Sequence, residues 1–329
     1  MMISQWLAAA LIVGGTTVSA EPVPEPNRMV TEVVPTQIDN VTTTDEVAIG
    51  RDIGDRMTVK VSVGDNGPYR FLVDTGAERT IISRELAHRL QLADGKDTIL
   101  HSVIGANDVN TVFIPHLRVS NNVISVVDAP ALAASNIGAD GMLGIDSLRS
   151  QRVLFDFKAQ TMSITPANRP AEKLDGQTIV VRARARRGRL IFTQAQIDGQ
   201  RVTVIVDTGS QVTIGNLALQ RALMKRRLWT APNPVTIESV TGEKLSAKVM
   251  ELQRLELGDV RIEDLAIAFA DAHIFKQLEL RQQPALLLGM NAMRAFDRIS
   301  IDFQSKKVRF VLPGTSMRST VRLAAAGGM

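Results

Sequence analysis

The chain contains no cysteine in its 329 residues, which excludes disulfide scaffolds, thiol catalysis and cysteine-based zinc sites. Aromatic residues make up only 4% of it and include a single tyrosine, Tyr69. Histidine is equally scarce. His88, His101, His116 and His273 lack the spacing of a metal site, and each is read as a surface or packing residue. Beyond the N-terminal apolar stretch, no run approaches the length that crosses a bilayer. Neither sign of charge dominates: 38 Lys and Arg against 34 Asp and Glu leave a formal charge of +4, a mild surface bias and not the footprint of a nucleic-acid binder. No GxSxG elbow and no P-loop is present. What the chain does have is length for two domains and 45% apolar content to give each a core, so folding rests on packing alone.

Trp6 to Val13 are apolar, and Val18, Ser19 and Ala20 form a small-x-small boundary ahead of Glu21, the pattern of a secretory signal cleaved after Ala20. Met1 to Gln5 lack the Lys or Arg usual in such a signal. Residues 1–20 are therefore read as a signal peptide, and the absence of cysteine favours a periplasm over a disulfide-rich secretory route. An uncleaved anchor in the inner membrane is the alternative. Residues 21–45, rich in Pro, Thr and acidic groups without periodicity, read as a linker or short pro-segment. From Glu46 onward short β-type runs between Gly, Asn and Asp turns dominate: Met57 to Val63, Tyr69 to Val73, Asn110 to Pro115, Val123 to Val127 and Val153 to Phe157. The class is mainly β.

An internal repeat organises the chain. The segment from Val59, VKVSVGDNGPYRFLVDTGAERTIISRELAHRL, matches the one from Phe192, FTQAQIDGQRVTVIVDTGSQVTIGNLALQRAL. Each holds a strand, a Gly-containing turn, a second apolar strand and Asp-Thr-Gly. Nine residues after each Asp stands a helix N-cap type, Ser83 or Asn216, opening a short amphipathic segment. Later, GMLGIDSLRSQRVLFDFKAQTMSI from Gly141 parallels LLLGMNAMRAFDRISIDFQSKKVRF from Leu286. The halves, residues 46–168 and 169–313, meet in the Pro-rich, charged stretch Thr165 to Gly176, and residues 314–329 read as a flexible tail. One Asp-Thr-Gly alone reads as a solvated turn. By composition it arises by chance about once in several thousand residues, so two in matching surroundings point to a shared site.

On these motifs the chain resembles the pepsin and retropepsin superfamily of aspartic proteases, in a bacterial single-chain form carrying both lobes, over roughly Glu46 to Pro313. The resemblance implies an all-β fold of two similar acid-protease-type β-barrel lobes with a cleft between them. It implies Asp74 and Asp207 as the catalytic pair, sharing one proton because like charges in a poorly solvated cleft repel. Thr75 and Thr208 would interlock across the lobe boundary, and Gly76 and Gly209 would let the loops approach. The elements Met142, Leu143, Gly144 and Leu287, Leu288, Gly289 would support the loops from beneath. The implied activity is aspartic endopeptidase on an extended polypeptide, without metal, cofactor or covalent intermediate. A peptide-binding pseudo-protease of the same fold is the alternative. Two complete copies make a retroviral-type dimer unnecessary, so a monomer is expected.

The family's flap falls by position on the turn Gly105, Ala106, Asn107 between Ser102 to Ile104 and Val109 to Phe113, with Thr241, Gly242 and Glu243 as its equivalent in the second half. Two departures stand out. The only tyrosine precedes Asp74 and lies outside the flap. The third residue after the Asp is Ala77 in one copy and Ser210 in the other, so a hydroxyl would donate to only one carboxylate, which implies activity reaching toward neutral pH. Finally, VRARARRGR, Val181 to Arg189, alternates arginine with small or apolar residues. It reads as a solvated strand face, or else as a contact with an anionic membrane surface of the envelope or an acidic substrate.

Overall fold

The computed structural model describes residues 9–12, 46–48, 50–51, 57–119, 122–186, 188–225, 233–314 and 320–322. The expected cleavage point after Ala20, the linker at 21–45 and most of the tail lie outside them. Of the apolar N-terminal run, Ala9–Ile12 is a strand antiparallel to Asn233–Ser239. No helix among the described residues is long and apolar enough to cross a membrane.

Strands dominate and helices are short, the longest described being Leu217–Lys225. A seven-stranded sheet is built from the first half and a ten-stranded sheet mainly from the second, with Ala9–Ile12 and Thr320–Arg322 at its edges, which gives an all-β fold of two lobes. The expected strands are present, several of them extended: Asn66–Val73, Thr111–Val119 and Asn122–Leu132 each run beyond the apolar core of their sequence. Ladder pairing continues where side chains turn polar, because backbone amides need partners whatever the side chain.

Each lobe places its repeat in the same way. Asn66–Val73 runs parallel to Gly141–Leu143, with Leu72 beside Met142 and Val73 beside Leu143. Gln200–Val206 runs parallel to Ala285–Leu288, with Ile205 beside Leu287 and Val206 beside Leu288. Parallel pairs of this kind are covered on both faces, which is why these strands end in unbroken apolar triplets, Phe71 to Val73 and Val204 to Val206 being apolar and Ile205 to Val206 buried like Leu72 and Val73. The predicted helix starts hold as well. Ser83 Oγ accepts from the Leu86 amide at 3.1 Å, and Asn216 Oδ1 from the Leu219 amide at 2.8 Å.

A third, six-stranded sheet joins the halves. Gln151–Asp156 of the first half pairs antiparallel with Arg298–Asp302 of the second, and Thr161–Pro166, Lys307–Val311 and Thr178–Arg182 extend the sheet on either side. Within it the buried Arg152 guanidinium meets Asp302 at 3.0 Å and donates to the Ala167, Arg169 and Pro170 carbonyls. One cation therefore fixes both a strand of the second half and the start of the connecting stretch.

Candidate active site

The two apolar strands stop at the same structural point. The Asp74 amide donates to the Leu143 carbonyl at 3.0 Å, and the Asp207 amide to the Leu288 carbonyl at 3.1 Å. The chain then turns, and the loops from the two lobes meet. The Thr75 amide donates to Thr208 Oγ1 and the Thr208 amide to Thr75 Oγ1, both at 3.0 Å. Each hydroxyl passes its own proton across the boundary, Thr75 to the Val206 carbonyl at 3.2 Å and Thr208 to the Val73 carbonyl at 2.8 Å. Four hydrogen bonds thus close a buried ring between the lobes, as the expected interlock requires. Gly76 and Gly209 make the approach possible: a Cβ on Gly76 would collide with the Asp207 carboxyl, and one on Gly209 with that of Asp74.

This geometry sets the charge state. Asp74 and Asp207 are 0% and 1% exposed. Burial raises both carboxyl pKa values, and Asp207 goes well above the ordinary range because the charge of Asp74 adds to burial. The neighbouring carboxyl groups act on each other in opposite directions, Asp207 favouring the charged form of Asp74 and Asp74 the neutral form of Asp207. Amide donors point the same way. Asp74 Oδ1 accepts from Gly76 at 2.7 Å and Ala77 at 3.1 Å, whereas Asp207 Oδ1 accepts from Gly209 at 2.9 Å. These directions favour retention of one proton on the pair, on the Asp207 side.

Beneath each loop lies a brace that the sequence reading only partly foresaw. Gly144 and Gly289 do lie there, their amides donating to Thr80 Oγ1 and Thr213 Oγ1, both at 3.2 Å. The threonines themselves were missed. Thr80 is tied by amide and hydroxyl to the Asp146 carboxylate, and Thr213 to Asn291 Oδ1. The identical offset of Thr80 and Thr213 from their aspartates was the available signal.

The family model for aspartyl proteases matches residues 59–147 and 193–292, together more than half of the chain and one segment per lobe. The chain belongs to the aspartyl protease family. A search of curated proteins finds no match.

The hairpin read by position as the flap sits differently from its assignment. Thr98–His101 and Ala106–Val109 pair as a two-stranded sheet, so the turn is Ser102 to Gly105, while Ala106 and Asn107 belong to the returning strand, opposite His101 and Leu100. Pairing of the polar Asn107 displaced the turn toward Gly105. In the second lobe, Thr241 and Gly242 do form the turn, between Asn233–Ser239 and Lys244–Leu257. The two tips meet. Ser102 Oγ donates to Glu243 Oε2 at 3.1 Å, and the His273 amide to the Val103 carbonyl at 2.7 Å. Val103, 1% exposed, packs among Ile205, Ile214 and Ala272 of the second lobe, and Val240, also 1% exposed, among Leu72, Ala77 and Leu100 of the first. This reciprocal insertion ties the lobes together at the two turns, which form the roof of the boundary between them.

Two histidines read as unrelated also meet here. His101 Nδ1 and His273 Nε2 lie 3.0 Å apart, with the Gln277 amide 3.0 Å from His101 Nδ1. The rings are nearly coplanar, at 18°, with centres 5.3 Å apart, which is the separation of a head-on N–H···N contact and not of a face-to-face stack. Such a bond needs at least one neutral ring. Burial and Lys276 lower the His273 pKa, with Glu243 opposing.

Two further readings need correction. The Ser210 hydroxyl donates to the Val212 carbonyl at 2.7 Å and leaves the carboxylates alone, so the hydroxyl asymmetry does not set the pair's acidity. The nearer carbonyl of its own loop captures it. Of the arginines in Val181 to Arg189, Arg182 and Arg184 are exposed as a solvated strand face demands, but Arg189 is 0% exposed and reaches the first lobe's loop.

A carboxyl whose pKa is raised by folding keeps its proton where the unfolded chain, titrating near about 3.9, has lost it; stability therefore falls as pH rises above that value. Asp207→Asn is expected to raise the melting temperature near about pH 7 and to change it little near about pH 3. Calorimetric melts across that range check this. A lower melting temperature at neutral pH would mean that bonds made by the carboxyl outweigh its burial.

Proposed function

We propose that the chain is an aspartic endopeptidase in which Asp74 and Asp207 together activate one water molecule against a peptide bond. The observation that carries this reading is the threonine ring, which brings two buried carboxyl groups together where burial and mutual charge favour retention of one proton. In the reaction, the ionised member takes a proton from water as the water oxygen bonds to the scissile carbonyl carbon, and the protonated member donates to the carbonyl oxygen. Collapse of the resulting diol breaks the C–N bond, the amine nitrogen leaves with a proton, and the pair returns to its starting state with one. A peptide would enter extended, with backbone hydrogen bonds to the flap strands, after Val103 and Val240 withdraw.

A non-catalytic peptide-binding cleft is the second reading, and the near-complete burial of both carboxyl groups favours it. The two separate under mutation. Because water activation and carbonyl protonation are parts of one step, Asp74→Asn and Asp207→Asn should each abolish cleavage of an unfolded protein substrate, and the double variant should be scarcely worse than either. Substantial turnover by a folded single variant would contradict the shared-proton mechanism.

The substrate class we assign is an exported polypeptide, acted on in the periplasm after cleavage of the chain behind Ala20. The apolar run and the Val18, Ser19, Ala20 boundary support this. N-terminal sequencing of protein recovered from the cell envelope should begin at Glu21, whereas a start at Met1 or Met2 would favour the anchored form.

A further inference from the structure

Arg189 opens the strand Arg189–Ile197, which pairs with the strand leading into Asp207, Ile191 lying opposite Ile205. It is among the largest side chains that are fully buried. Burial lowers its pKa only to about 10, because the charges of Glu78, Asp207 and Asp74 oppose that effect, so it is a cation at neutral pH. Both of its described hydrogen bonds cross to the other lobe. One runs at 2.8 Å to Glu78 Oε1 and one at 2.5 Å to the carbonyl of Gly76, in the loop that carries Asp74. In the sequence, Arg56 stands as far before Asp74 as Arg189 stands before Asp207, but the residue matching Glu78 is the neutral Gln211. The pair of aspartates is thus built almost symmetrically and surrounded asymmetrically.

We propose that Arg189 is a positioning residue for the aspartate pair, holding the Asp74 loop from the opposite lobe and supplying the buried positive charge that lets the pair carry one negative charge. This rests on the reading of the pair as catalytic. A pair of carboxyl groups sealed from water has only two ways to remain ionised, amide donors and a fixed cation. The amide donors number two for Asp74 Oδ1 and one for Asp207 Oδ1. Among the described residues, Arg189 is the cation that acts on both, lowering each carboxyl against the larger effect of burial. Glu78, whose side chain is 23% exposed, pairs with Arg189 and offsets part of its field. Among the described residues, the charged groups acting on Arg189 are Glu78, Asp74 and Asp207, and by the sign of its charge Glu78 would act on the pair against Arg189.

That opposition separates charge control from a mere staple between lobes. A staple loses stability when either partner is removed and leaves the titration of the aspartates where it was. Charge control makes Arg189→Met raise both apparent pKa values of the pair, moving the pH window of kcat/KM upward by about one unit or more. Glu78→Gln should move it downward, and Arg189→Lys, which keeps the charge, should move it less than Arg189→Met. The experiment is the pH profile of kcat/KM for these variants, together with carbon-13 NMR titration of the aspartate carboxyl groups and thermal melts. If the wild-type protein shows no turnover, the catalytic reading fails, yet the carboxyl titration still decides the charge effect of Arg189. If Arg189→Met does not fold, Arg189→Lys and Glu78→Gln carry the same test of sign. Shifts in the same direction for Arg189→Met and Glu78→Gln, or loss of stability with no shift, would overturn the proposal.

Discussion

Everything else in the site follows from the ring of four hydrogen bonds that Thr75 and Thr208 make across the lobe boundary. Each threonine uses its hydroxyl as acceptor toward the opposite amide and as donor toward the opposite strand, so neither loop satisfies its polar groups alone. A buried polar group left unpaired costs about 1 to 3 kcal/mol, and the ring holds the two loops together under that penalty. Once they are together, the glycines bring each backbone against the opposing carboxyl. Two like charges are then held where water does not reach, and retention of one proton is the electrostatic consequence.

The architecture around the ring resists its separation at several levels. The Leu143 and Leu288 carbonyls fix where each aspartate begins, and the Thr80 and Thr213 braces fix the loop below it. The six-stranded sheet ties the lobes at their base, and Val103 and Val240 tie them at the roof. Against this near-symmetry, differences in charge stand out: Glu78 facing Gln211, Asp146 facing Asn291, and the extra amide donor of Ala77. Hydrolysis asks two chemically identical groups to act as base and acid, and only asymmetric surroundings distinguish them. The geometry comes from the repeat, the difference in role from its departures.

How much of this was legible in the sequence depended on range. The Asp-Thr-Gly pairs, the N-caps at Ser83 and Asn216 and the Leu-Gly supports are local patterns, and they appear where the repeat placed them. Arg189 was not legible in the same way. Its surroundings read as an alternating basic strand, and nothing nearby distinguishes the one arginine that turns inward to a carbonyl 113 positions away. The His101 and His273 contact spans 172 positions and depends on how the roof closes, which no spacing rule encodes. For Ser210 the failure was of the opposite kind: its place three residues after Asp207 suggested a donor to the carboxylate, but its hydroxyl donates to a carbonyl two residues on. Local propensity locates elements, and tertiary competition decides partners.

The proposed mechanism requires one buried proton shared by two carboxyl groups of a single chain. Neutron diffraction from crystals grown near neutral pD would locate it directly. The expected density is a single deuteron between Asp74 and Asp207, bonded closer to Asp207, with both threonine hydroxyl deuterons directed at the opposing strands. Two bare carboxylates, two separately protonated ones, or carboxyl groups too far apart to hydrogen-bond would contradict it.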